Sequence, residues 1–67
     1  MSNLKRIRER SGLSQSQLAT KSGVGIKVIQ SYEQKSRDIN KASAISLYKI
    51  AVVLGVTVED LLEHDDL

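Results

Sequence analysis

The apolar positions of this chain recur mainly at intervals of three and four residues. That spacing lines one face of a helix, whereas a half-buried strand would alternate. Leu4 and Ile7 begin a first stripe, Gly12 ends it, and Leu13 turns back toward the core. Ser2 or Asn3 can cap this first helix. Ser14-Gln15-Ser16-Gln17 has the S-x-x-Q form of a capping box and opens a second helix, with Leu18 and Ala19 inward and Gly23 as terminator. Gly25 is a tolerable N-cap for a third helix running to about Gln34. The stretch KSRDINK is polar and lacks a period, so a loop is expected there. Asn40 is the candidate cap of a fourth helix, with Leu47, Ile50, Ala51 and Leu54 facing inward and Gly55 at its end. Thr57-Val58-Glu59-Asp60 fits a second capping box, for a short fifth helix carrying Leu61 and Leu62. The residues EHDDL, 63–67, are expected to fray as an acidic tail. The prediction is one domain over 1–67, all-α and built as a compact five-helix bundle.

Composition narrows the chemistry. The 67 residues include no Cys, Pro, Trp or Phe, so there is no disulfide and no cysteine-based zinc site. The core must come from eight Leu, six Ile, six Val and the alanines. The apolar run from Ile50 to Leu54 is too short to cross a bilayer, and the N-terminal MSNLKRIRER is charged where a signal peptide needs an apolar stretch. A cytoplasmic protein without membrane contact is expected.

The net charge of +2 hides an asymmetry. Residues 1–41 hold nine Lys or Arg against three acids, net +6, and residues 42–67 hold Lys49 against five acids, net −4. One basic face on a small domain points to a polyanionic partner.

Gly23-Val24-Gly25 ahead of a helix raises the question of a phosphate-binding loop. The dinucleotide fingerprint needs a third glycine where Val28 stands, and strands that the pattern does not contain. No G-K-[ST] follows, so the phosphate-loop alternative fails as well. What remains is helix, tight turn, helix. Gly23 supplies a left-handed corner, Ala19 stays small beneath the crossing, and Val24 and Ile29 fill the space between the helices. Residues 14–34 then form a helix-turn-helix that holds its second helix outward.

With those residues in place, the chain from Leu4 to Leu62 resembles a Cro/C1-type (Xre-like) helix-turn-helix domain. The matching stretches are LKRIRERSGLSQSQLA, SGV, IQSYE and LYKIAVVLGVTVEDLL. Gln15, Ala19, Gly23, Val24, Ile29 and Glu33 fall in register together. The resemblance implies a lambda-repressor-like fold and binding to double-stranded DNA, usually by a homodimer at a palindromic operator. It also assigns Gln15 a clamp on the DNA backbone and pairs Arg8 with Glu33, the arginine also facing phosphate.

The wheel of the third helix assigns base contacts independently. With Ile29 at the core, Lys27, Ser31, Gln34 and Gln30 lie about 100° to 200° away and point outward together. Lysine can donate to guanine, glutamine can pair with adenine, and serine suits either. Ile26, in the first turn, is a candidate for a thymine methyl or a plug on the flank of the domain. Candidate phosphate contacts are Arg8, Ser14, Gln15, Lys35, Ser36, Arg37 and Lys41. Several positions depart from the family pattern: Ile26 and Val28 stand where polar residues are common, Gly25 for a capping Ser or Thr, Lys35 for a glycine and Ile39 for a proline. Neutralising four to six phosphates predicts a log–log salt slope of roughly −4 to −5 per monomer.

A second stripe lies on the fourth helix. Ile45, Tyr48 and Val52 point away from Leu47, and a contiguous apolar patch of this kind marks a homodimer or protein-partner surface. The competing expectation is that the fifth helix or the tail folds over it. Catalysis has little support. His64 sits in the acidic tail, and the nine serines include no G-x-S-x-G elbow. No enzyme activity, cofactor, metal or small-molecule ligand is expected. The sequence thus leads to a DNA-binding transcriptional regulator, a repressor of phage or bacterial type. The alternative is an antitoxin or adaptor that holds a protein partner on the fourth helix, with DNA binding secondary. An RNA module on the same basic face lacks the surface aromatics that stacking on single strands requires.

Overall fold

The computed structural model describes residues 2–63. Five α-helices follow one another: α1 (Asn3–Arg10), α2 (Gln15–Ser22), α3 (Ile26–Glu33), α4 (Ala44–Leu54) and α5 (Val58–Leu61). A 3₁₀ turn, Ile39–Lys41, lies between α3 and α4, and no strand occurs among the described residues. The all-α expectation holds.

The helix starts follow the local chemistry. The Ser2 hydroxyl accepts from the Lys5 N–H at 3.0 Å and caps α1. At α2 the capping box forms in both directions: Ser14 Oγ accepts from the Gln17 N–H at 3.0 Å, and Gln17 Oε1 accepts from the Ser14 N–H at 2.8 Å. Thr57 and Asp60 close the same box on α5. Gly25 caps α3 without a side-chain bond. Two expectations are corrected. Ser43, not Asn40, caps α4, its hydroxyl accepting from the Ser46 N–H. Leu62 is the C-cap of α5 and not part of it. The third helix ends at Glu33 with Gln34 as its C-cap, within a residue of the expected end.

Asn40 is used elsewhere. Its side chain bridges both backbone groups of Glu63, donating to the carbonyl at 2.8 Å and accepting from the N–H at 2.9 Å. Asn3 holds the same end of the chain, donating from Nδ2 to Leu62 O at 2.7 Å and from its backbone N–H to Glu63 Oε1 at 3.1 Å. Glu63 is therefore tied down, contrary to the expected fray from that residue. His64 and the rest of the acidic tail lie outside the described residues.

Each helix sends one side chain to complete burial: Leu4, Leu18, Ile29, Ile50 and Leu61. Burying side chains of this size stabilises by about 1.5–3 kcal/mol each. A single shared core fixes all five helices against one another. Accordingly α2 packs on both α3 and α4, α1 on α3 and α5, and α4 on α5.

Candidate nucleic-acid interface

The corner between α2 and α3 depends on one backbone conformation. Gly23 has φ +76° and its N–H returns to Ala19 O at 2.9 Å. A Cβ built there meets nothing within 4 Å, so glycine is required by the left-handed dihedral and not by crowding. Val24 and Ile29 are buried beneath the corner, as the sequence predicts, and Tyr32 also faces inward.

With that inner face committed, α3 turns its other face outward. Lys27 and Gln34 are exposed, and Ile26 is partly so. Gln30 and Ser31 are half-buried. The Ser31 hydroxyl donates back to Val28 O at 2.7 Å, which leaves its oxygen only an acceptor role toward a ligand.

Beyond α3 the backbone closes in a Schellman motif. The Ser36 N–H reaches Ser31 O at 3.0 Å and the Lys35 N–H reaches Tyr32 O at 3.2 Å. Lys35 takes the left-handed position, φ 62°, the one non-glycine with positive φ among the described residues. Lys35, Ser36, Arg37 and Lys41 are all exposed. The cluster therefore presents three cations on a short span whose far end Asn40 anchors to Glu63. Lys35 Nζ lies 4.0 Å from Glu63 Oε1, an ion pair weakened by solvent.

Arg8 is placed differently from the other candidate cations. It is buried, and every nitrogen of its guanidinium has a partner: Nε donates to Glu33 Oε2 at 2.7 Å, Nη2 to Glu33 Oε1 at 3.0 Å and Nη1 to Leu13 O at 2.7 Å. The hydrogen bond to Glu33 raises the arginine's pKa against the opposing effect of burial. This ion pair spans α1 and α3 and belongs to the scaffold, so its phosphate role is not supported by its placement. Glu33 Oε1 also accepts from Gln15 Nε2 at 3.0 Å, and Gln15 Oε1 accepts from Gln30 Nε2 at 3.3 Å. Sequence spacing could not reveal this second part of the network, because its members lie 15 and 18 residues apart.

Gln15, in the first turn of α2, thus stands beside α3, bonded to both Glu33 and Gln30. A helix-turn-helix family model matches residues 4–61. The chain belongs to the Cro/C1-type helix-turn-helix family. It is a DNA-binding helix-turn-helix domain in that sense, and the match covers all five helices. No curated protein and no solved structure matched the chain. Among the described residues of this Cro/C1-type domain, no helix is long and apolar enough to cross a membrane and no group of three or more potential metal ligands occurs.

A separate face carries the apolar stripe. Ile45 is 60% exposed, Tyr48 59% and Val52 60%, so neither α5 nor the residues up to Glu63 cover them. They follow one another at spacings of three and four along α4 and share one side of it.

Proposed function

We propose that this Cro/C1-type domain is a sequence-specific regulator of transcription, a repressor of phage or bacterial type, that reads double-stranded DNA in the cytoplasm. In this reading α3 enters the major groove, and Lys27, Gln30, Ser31, Gln34 and Ile26 face base edges. Gln15 and Ser14 at the start of α2 hold one stretch of backbone, through the Gln15 side chain and N–H and the Ser14 hydroxyl proton. Lys35, Ser36, Arg37 and Lys41 hold another. The observation that carries the proposal is the exposed polar face of α3, held out by the Gly23 corner, with Gln15 bonded to Gln30 beside it and an exposed basic loop following it.

Selection of bound sites from a random duplex library tests it. The expected result is a palindrome with half-sites one helical turn, about 34 Å, apart. Lys27→Ala with Gln30→Ala should lose that selectivity while keeping the helical signal of the fold. Recovery of no enriched sequence, or of the same sequence by the double variant, counts against the proposal.

The exposed stripe on α4 supports the homodimer at such an operator. It also supports the second reading, an antitoxin or adaptor with a different protein on that face. The two separate by sedimentation of the pure chain with and without operator duplex. A homodimer gives two copies per duplex; a chain that stays monomeric on DNA favours the partner protein.

A further inference from the structure

We infer that Glu33, although buried and out of reach of any base, is a positioning residue that decides which edge of the Gln30 amide meets the DNA. The inference rests on the reading above, in which α3 faces base edges.

The argument starts at Arg8. Its guanidinium donates to both oxygens of Glu33, at 2.7 and 3.0 Å. A carboxylate only accepts hydrogen bonds. The Gln15 side chain that meets Glu33 Oε1 at 3.0 Å must therefore present its Nε2. That choice leaves Gln15 Oε1 to Gln30, one turn earlier on α3, where it accepts from Gln30 Nε2 at 3.3 Å. A side-chain amide carries two N–H groups and one carbonyl. Gln30 is left with its Oε1 and one N–H for another partner.

An acceptor beside a donor is what the major-groove edge of adenine requires, since N6 donates and N7 accepts. Were Gln15 reversed, its N–H would face Gln30 and call Gln30 Oε1 inward. Gln30 would then offer only donors, the pattern that suits guanine O6 and N7. A fixed negative charge two side chains away thus favours adenine over guanine at one operator position. Gln15 couples the two functions. Its second N–H stays available for a phosphate, so the clamp on the backbone and the reading of the base share one amide.

Library selection is run on the wild type, Gln15→Leu and Glu33→Gln, with Gln30→Ala used to identify the operator position that Gln30 reads. The wild type should prefer adenine over guanine there by about 5- to 150-fold, the range for a good bidentate pair. Gln15→Leu leaves the Arg8–Glu33 pair intact and should fold. It should weaken binding at all sequences through the lost clamp and, in addition, bring adenine and guanine at that one position to within about twofold. Glu33→Gln, if it folds, should do the same at that position. A structural role alone would lower affinity evenly and leave the preference unchanged. An operator enriched by the wild type whose adenine preference survives in Gln15→Leu, or that shows guanine there, overturns the relay while the DNA reading stands. No enrichment by the wild type overturns both.

Discussion

Lys35 shows how a single position can trade stability for contact. Three helices of this domain close with the same six-to-one return, and two of them place Gly12 and Gly55 at the left-handed residue. The third places a lysine there, at a cost of about 1–2 kcal/mol for an L-residue in that region. Its one ion pair is half-exposed and at 4.0 Å, too weak to offset this. Lys35→Gly should accordingly raise the unfolding free energy by about 1 kcal/mol, read from the denaturation midpoint. It should simultaneously weaken DNA binding and reduce the salt slope by about 0.9. A variant that is more stable yet binds equally well would remove Lys35 from the interface. Arg8 behaves in the opposite way. Arg8→Met strands the Glu33 carboxylate, and breaking a buried pair costs about 3–5 kcal/mol, enough to unfold much of a domain this small. Urea denaturation should show a much lower midpoint, and an unchanged one would mean that Glu33 finds water or another partner.

At the scale of the element, the starts and stops were legible because their chemistry is local. Ser14 with Gln17, and Thr57 with Asp60, need nothing beyond a three-residue spacing to close their boxes. Asn40 was misleading for the same reason: it is a good cap by type, but Ser43 stands at the actual start of α4 and Asn40 is engaged by Glu63, 23 residues away. The corner at Gly23 could be read from the sequence, and the pairing of Arg8 with Glu33 came with the family resemblance. The link from Glu33 through Gln15 to Gln30 could not be read, since side-chain bonds between helices leave no period. The cap of α5 also carries a pH dependence. Hydrogen bonds from Thr57, the backbone N–H foremost, hold the Asp60 carboxyl below its ordinary range. A lowered folded value gives stability that is present above the unfolded carboxylate pKa and lost as the pH falls through the folded one. The advantage of the wild type over Asp60→Asn should therefore fade only in acid, as followed by thermal melts across pH. An advantage that is flat down to the most acidic buffers would place the stabilisation elsewhere.

For the whole molecule, charge and symmetry set what can be measured. With Arg8 inside, Lys35, Arg37 and Lys41 are the exposed cations assigned to phosphate, and three phosphates give a salt slope of about −2.7 per monomer. This is shallower than the range that the sequence predicts. In the homodimer proposed above, an antiparallel pair of α4 helices about a two-fold axis would set Ile45 of one copy against Val52 of the other and bring the two Tyr48 rings together, an isologous arrangement. The chain has no cysteine, so single cysteines report this register directly. Ile45→Cys mixed with Val52→Cys on operator duplex should form the disulfide, while Ile45→Cys alone should not, because its two copies are offset by about seven residues, roughly 10 Å. Efficient self-linking at Ile45 would indicate a parallel or different contact.

The central claim is that the outward face of α3 meets the duplex. Backbone and side-chain amide shifts of the isotope-labelled domain, titrated with its selected duplex, test it most directly. The account predicts that the largest changes fall on Lys27, Gln30, Ser31 and Gln34, on Ser14 and Gln15, and on the loop from Lys35 to Lys41. Changes concentrated on Ile45, Tyr48 and Val52, with α3 silent, would contradict it.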